Sequence, residues 1–529
     1  MKVVFYSTNT NIFDEEHVEF INFPSNCEQF LAFTQKFPDD EFYIVTQKPA
    51  LFMPEEELTS ETTDDCTSKT PADILYSVET EAASSRAQLE SQNGRTFYAP
   101  QDFSPEQIAA KIAELSPDLA IAMTFWVAPF DWLTVSDALV AQELQKLGIK
   151  TICNPLQTAL TCFDKNKTRE FFLQNGFSAP RSLFVDHDMF FCAGSQKEVL
   201  RNIYRESVFC QIKQMKLPLV IKDTTGLSSY SLAVVNTYGE AFNYLTSKKN
   251  NSNRLVQEFA EGLQVGVEVY GTPGNYTVLP PFVFSTNKYG ITSPKQSVKL
   301  CAGNKIACIE GAKTETEETK SENAGAETGA QNYVWCVKQS TSLDSLVKNL
   351  AEKLQFCGVA QIDLVYKDEK WTFIEINPRL SGMSRSYAAG LGCSLFELIY
   401  SPQQKVEMNP VLSLKLPPQE KNVLKKIYEI NSSTPAYGSS NDSKLPANES
   451  QKISVNQIYD SAAKQEREKG WCEVIITADT TEEIRTKLNA IKNLFSRLSP
   501  ELNEMQKPDS SIFEQAELML KHQTENQVF

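Results

Sequence analysis

Histidine is almost missing: a chain of 529 residues carries only His17, His187 and His522. Its 12 cysteines are scattered without one CxxC pair, and Cys301 and Cys308, with six residues between them, read as ordinary buried thiols. A zinc centre draws its ligands from clustered cysteine and histidine, so none is expected, and unpaired thiols fit a reducing cytoplasm. Long apolar runs are lacking too, and no stretch approaches the ~18–20 residues that cross a bilayer. The opening MKVVFYSTNT has one lysine and a short apolar run, which does not read as a signal peptide. Basic charge is in deficit: 51 Lys and Arg face 67 Asp and Glu, giving a net charge of −16 and a pI near 5.0. That balance excludes nucleic acid or an anionic membrane as the main partner. A bound nucleotide would need its cations supplied locally.

What remains is the composition of a globular protein, 41% hydrophobic and 22% charged, with a mean hydropathy of −0.32. The length exceeds what one core can serve and implies roughly three or four domains, so the expected class is a multidomain mixture of α/β and α+β. Residues 1–153 read as α/β: KVVFYS, EFYIVTQ, DLAIAMTFW and IKTICNP are strand-like, and SPEQIAAKIAELSP and SDALVAQELQKLG are helical. Within them, the acidic, Ser- and Thr-rich stretch 55–95 reads as a flexible insert. Residues 154–270 start with the helix FDKNKTREFFLQNGFSAP, then the strand LPLVIKD, the turn TTGLSSYS, the strand LAVVN, a helix from Tyr238 and the strand pair NRLVQEFAEGLQVGVEVYG. Residues 271–400 hold a low-complexity insert at 310–332, the helix SLDSLVKNLAEKLQ and then GVAQIDLVYKDEKWTFIEIN. Residues 401–529 hold a polar insert at 431–452 and close with GWCEVIITADTTEEIRTKLNAIK, a strand, turn and helix that Thr480 or Thr481 is placed to cap. No internal repeat is present.

The pair AQIDLVY and WTFIEIN, joined by the polar KDEK, reads as an antiparallel hairpin. Strict alternation puts Trp371, Phe373, Glu375 and Asn377 on one face of the second strand, and Gln361, Asp363 and Val365 on one face of the first. An odd-length connection sets Asp363 opposite Glu375, whereas a two- or four-residue connection sets Asp363 opposite Ile374. The odd loop is the expectation. Two carboxylates ~5 Å apart repel unless a cation sits between them, and magnesium shared with phosphate oxygens suits carboxylate and amide ligands. Arg379, just past the strand, could then fork onto phosphate or carboxylate oxygens.

FIEINPRLSGMS, preceded by QIDLVY, resembles the metal-binding end of ATP-grasp enzymes. The resemblance covers residues 150–400 well and the flanks more loosely. It implies an N-terminal α/β domain (1–153), a first lobe with a phosphate lid (154–270), a metal-bearing catalytic lobe (271–400) and a C-terminal subdomain (401–529). It also implies ATP with Mg2+ or Mn2+, activation of a carboxylate as an acyl phosphate, attack by an amine, and a soluble enzyme for which a homodimer is compatible. By the same resemblance Asp363, Glu375 and Asn377 are the metal ligands and Arg379 steadies the transferred phosphoryl. Lys165 and Lys222 touch the phosphates and nucleotide. Gln257, Glu258 and Ala260 line adenine, Gln264 reaches adenine or ribose, and Gly226, Ser228 and Ser229 belong to the phosphate loop. Two departures stand out: Gln257 and Gln264 replace the usual glutamates, and the phosphate loop has a single glycine. The continuation NPRLSGMSRSYAAGLGCSLFEL is similar to carbamoyl phosphate synthetase halves and amino-acid ligases. Biotin carboxylases carry an acid shortly after the arginine, where this chain has Ser381, Gly382 and Met383. The leading expectation is a carboxylate–amine ligase, with carboxylate or carbamate phosphorylation and a catalytically weak ATP sensor as alternatives.

Overall fold

The computed structural model describes residues 1–8, 18–21, 26–46, 94–98, 103–123, 133–192, 201–225, 232–286, 296–303, 340–402, 407–433, 453–458 and 471–525. Three sheets organise them. The first is wholly parallel, built from β1 (Lys2–Tyr6), β3 (Glu41–Thr46), β4 (Gly94–Tyr98), β5 (Leu119–Ala122) and β6 (Lys150–Ile152), in the order β4-β3-β1-β5-β6. Parallel strands bury both faces, and β1 does so: Val3 and Phe5 join one apolar cluster, Val4 and Tyr6 another. The helix Pro105–Ala113 follows the expected segment, with Ser104 and Gln107 forming a capping box. The stretch read as insert 55–95 runs into β4 at its end, and most of it lies outside the described residues, as do 310–332 and 434–450. Residues 431–433 instead close the helix Lys421–Ser433.

The second sheet is antiparallel: β7 (Ser182–Val185), β8 (Leu219–Asp223), β9 (Ala233–Val235) and β10 (Arg254–Glu258), in the order β7-β10-β8-β9. One face carries Val185, Leu219, Ile221 and Val256, packed on Val208, Ile212, Ala241 and Leu245 of two helices, Ile203–Ile212 and Tyr238–Thr246. Its opposite face carries Val220, Lys222 and Gln257.

The third sheet has ten strands. They are β2 (Val18–Ile21), β11 (Leu263–Thr272), β12 (Asn275–Val278), β13 (Phe282–Phe284), β14 (Ser297–Cys301), β15 (Gly358–Lys367), β16 (Lys370–Asn377), β17 (Val411–Leu416), β18 (Ile453–Ile458) and β19 (Trp471–Thr477). The order is β16-β15-β11-β13-β14-β17-β19-β18-β2, with β12 beside β11, so the sheet joins segments from all parts of the chain. One face holds the largest core, from Val265 and Ile362 across to Leu414 and Val474, under the helices Ser340–Leu354 and Thr481–Leu498. Thr480 caps the second of these, accepting from the Glu483 N–H. The helices Leu156–Phe163 and Lys165–Gln174 pack against β16, with Phe172 and Phe177 on Phe373, although they precede the four-stranded sheet in the chain. No helix among the described residues is long and apolar enough to cross a membrane.

The hairpin β15–β16 differs from expectation in an instructive way. Lys367 pairs with Lys370 across a two-residue turn, and Asp368 and Glu369 both have positive φ, 49° and 59°. Two positive-φ residues match the twist of a tight hairpin, so the odd-length loop is not formed. An even loop alone would set Asp363 against Ile374. The ladder instead shifts between Asp363 and Leu364, pairing Leu364 with Phe373 and Asp363 with Glu375. This β-bulge at Ile374 also breaks the expected alternation: Trp371, Phe373 and Ile376 enter the core, whereas Glu375 and Asn377 share the other face with Gln361 and Asp363.

Candidate functional site

The site lies on the face of the ten-stranded sheet away from its main core. Register carries that face across the strands: Glu375 opposes Asp363, Asp363 opposes Gly266, and Phe284 opposes Lys299. Gly266 sits at its centre because a Cβ there would lie 2.3 Å from Phe284 and 2.9 Å from the Met383 sulfur.

Across the hairpin the amides are threaded. Asn377 Nδ2 donates to Gln361 Oε1 at 2.6 Å, and Gln361 Nε2 donates to Asp363 Oδ1 at 2.5 Å. Arg379 is buried and donates Nη2 to Asn377 Oδ1 and Nη1 to the Leu380 carbonyl, both at 3.1 Å. Gln361 is therefore the bridge that orders the group, a role its place beside Asp363 did not disclose in the sequence.

Two lysines arrive from other elements. Lys165 opens its helix, and its Nζ lies 3.1 Å from Glu375 Oε1. Lys222, on β8, is 7% exposed, and burial drops its ammonium to about 8 against the pull of Glu375 and Asp363. The two carboxylates divide. Burial and the facing Glu375 push Asp363 up to about 7, whereas Glu375, despite its own burial, is drawn below the usual range by Lys165 and Lys222. Lys165 thus answers the charge of Glu375.

Lys299 on β14 completes the face. Burial lowers its ammonium, opposed by Glu473, Asp363 and Glu268, and it makes no hydrogen bond or ion pair with a described residue. Glu268 on β11 is fully buried and accepts from Ser381 Oγ at 2.6 Å, Ser384 Oγ at 2.7 Å and the Tyr270 hydroxyl at 2.5 Å. It pins the loop that follows Arg379. A charged residue inside the apolar runs LQVGVEVYG and SVKLC was the available signal for both.

Of the residues expected at the nucleotide, Gln257 is buried on the same sheet face as Lys222 and donates to Ser182 Oγ at 3.0 Å. Glu258 points to the other face, and its carboxylate accepts from the Lys216 N–H. Its own N–H donates to the Arg181 carbonyl at 2.8 Å, so only other backbone groups of 258–260 remain for a ring edge. Gln264 is half-buried on β11 opposite Val365, on the site face. Ala260 lies in the segment between β10 and β11. Gly226, Ser228 and Ser229 fall outside the described residues.

The donor set fits a hard divalent ion. It offers two carboxylates on facing strands and an amide oxygen beside them, with Asp363 pushed up by burial and by the facing Glu375. Among the described residues no group of three or more His, Cys, Asp or Glu converges.

Comparison with known proteins bears on the family and the fold. Residues 162–383 match the family model described as the ATP-grasp domain. The chain resembles N5-carboxyaminoimidazole ribonucleotide synthetase from Thermus thermophilus, at 13% identity and TM-score 0.50, over 93% of this chain and 98% of that one. The ADP complex of purK, also an N5-carboxyaminoimidazole ribonucleotide synthetase, superposes with TM-score 0.53 at 10% identity, over 94% and 97%. The biotin carboxylase domain dimer of Hydrogenobacter thermophilus 2-oxoglutarate carboxylase, solved with MgADP, ADP and bicarbonate, gives TM-score 0.50 at 11% identity, over 98% and 93%. At such identities the likeness is one of fold. No curated protein matches by sequence.

Proposed function

Taking as premise that residues 162–383 form an ATP-grasp domain, we propose that the protein is an ATP-dependent carboxylate–amine ligase. The observation that carries this reading is the convergence of Lys165 and Lys222, from two other elements, on the Asp363–Glu375 pair beside Arg379. Asp363, Glu375 and Asn377 would hold magnesium, which when bound neutralises charge on the polyphosphate oxygens. Lys165 and Lys222 bind phosphate: with nucleotide present, Lys165 exchanges Glu375 for a phosphate oxygen, and Lys222 regains an anionic partner for its desolvated charge. Arg379 stands where its guanidinium meets charge developing on the transferred phosphoryl. The substrate carboxylate attacks the γ-phosphorus and ADP leaves; the amine nitrogen then attacks the acyl carbon and expels phosphate. Gln257 positions adenine from the open face of the small sheet, helped by Ala260 backbone and by Gln264.

Release of ADP and phosphate, screened against pools of amino acids and other carboxylates, tests the reading. Turnover that requires both a carboxylate and an amine supports ligation. ADP release without any amine assigns carboxylate phosphorylation instead, and binding of ATP without turnover across the pools leaves a sensor.

A further inference from the structure

Asn154 follows β6 of the N-terminal sheet, yet its side chain is committed to the catalytic hairpin. It is 6% exposed. Its Nδ2 donates to the carbonyls of Val359 and Pro378, both at 2.9 Å, and its Oδ1 accepts from the Cys357 N–H at 3.0 Å. Val359 lies at the start of β15, and Pro378 lies between Asn377 and Arg379. One amide thus ties together the two ends of the hairpin that carries the paired acids. Its orientation is fixed, since a flip would turn Oδ1 onto two carbonyl oxygens.

From Pro378 the order continues without a gap. The Arg379 N–H donates to the Asn377 carbonyl at 2.9 Å, the Arg379 guanidinium holds the Asn377 side chain, and Asn377 reaches Asp363 through Gln361. The domains are close enough there that a Cβ on Gly358 would stand 3.5 Å from Ile152 on β6. A contact that only held this segment down would not need to grip both strands of the hairpin that carries the acids. Thr158 nearby shows what such a contact looks like: its hydroxyl donates to the Leu354 carbonyl at 2.5 Å, before the hairpin begins.

We infer that Asn154 is a positioning residue, by which the segment leaving β6 sets the spacing of Asn377 and Arg379 from Asp363 and so tunes how the hairpin receives a metal–nucleotide. The inference rests on reading the hairpin as a metal–phosphate site. It does not concern the identity of the carboxylate or amine.

The test is calorimetric titration of the full chain with ADP, once with Mg2+ and once with EDTA. Asn154→Asp keeps the acceptor for Cys357 but turns an oxygen onto the two carbonyls. Its affinity for ADP in EDTA should stay within about twofold of wild type, and the magnesium-dependent gain should shrink about tenfold or more, the scale of losing a group that orients metal ligands. Thr158→Val, which removes the neighbouring bond to Leu354, should lower the melting temperature and leave both affinities intact. If Asn154→Asp does not fold, Asn154→Ser, which can still donate once, should show the same selective loss in weaker form. An Asn154 variant with the full magnesium gain overturns the inference, and so does a Thr158→Val that loses the gain equally. A wild type that binds ADP with no magnesium dependence overturns the metal–phosphate reading underneath it.

Discussion

Lys222 and Asp223 are neighbours on β8 and live opposite lives. Asp223 turns to the helix-covered face, where Arg254 forms an ion pair with it, Ser252 donates to it, and the Tyr244 ring lies 5.8 Å from the guanidinium. Arg254 is 1% exposed and directs its other donors to Asn250, Asn251 and the Lys249 carbonyl. Lys222 turns to the cleft face, buried to a similar degree, with its charge held down by that burial and, among the described residues, answered across space by Glu375 and Asp363. One residue apart, the same strand carries a charge satisfied for the fold and a charge that makes no hydrogen bond or ion pair with a described residue. Functional sites keep such shortfalls, and structural ion pairs remove them.

Breaking the satisfied side should cost most. Arg254→Met leaves the part-buried Asp223 with Ser252 but without its arginine, and unfolding stability should fall by about 3 kcal/mol. Chemical denaturation measures it. A loss under about 1 kcal/mol would mean that the pair is not what holds β8 to β10, and the contrast with Lys222 would dissolve.

Lys222→Met should move in the other direction. A lysine whose folded value is about 8, below its ordinary ~10.4, destabilises the fold while it is charged; that penalty is full at pH 7 and fades as pH rises through 8 towards 10.4. The variant should therefore melt at or above wild type at pH 7, with the gain vanishing by about pH 10. ATP affinity should weaken by about 1.5–3 kcal/mol, the scale of a charge-assisted bond, with adenosine affinity nearly unchanged. Calorimetry with both ligands decides it, since an equal loss for adenosine would place Lys222 away from phosphate.

Glu375→Gln sharpens the comparison with the smallest change. Apo stability should drop by about 1 kcal/mol or less, because the partly exposed pair with Lys165 is lost while repulsion on Asp363 is relieved. Wild-type protein should gain thermal stability with magnesium–ATP, and the variant much less. A variant that melts far lower when apo, yet shifts normally with nucleotide, would make Glu375 a second Asp223.

The hairpin shows how legible all this was. Alternating Glu375, Asn377 and Arg379 after an apolar strand could be read directly, and so could Asp363 on its partner. The reason they meet could not be read. Asp368 and Glu369 are not the usual residues for a turn with two positive φ angles, so the tight turn was hidden, and a bulge at Ile374 has no spacing signature. Two misreadings, of loop parity and of strict alternation, cancelled at Asp363 and Glu375. They did not cancel at Trp371 and Phe373, which lie in the core. Lys299 and Glu268 stayed hidden for another reason: each is one charge in an apolar strand, and its significance depends on neighbours brought by β15 and by the Ser381–Ser384 loop. Asn154 depends on a contact between segments about two hundred positions apart, which no local pattern encodes.

The continuity of the ten-stranded sheet has a practical consequence for anyone who would excise the matched segment. A fragment of residues 162–383 ends before β17, whose Lys415 to Val411 pair with Ser297 to Cys301 of β14. Such a fragment would leave β14 as a bare edge and would strip Leu412, Leu414, Val474 and Ile476 from the core beneath it. An exposed apolar edge invites strand addition from another copy, so the piece carrying the recognisable motifs should aggregate more readily than the whole chain.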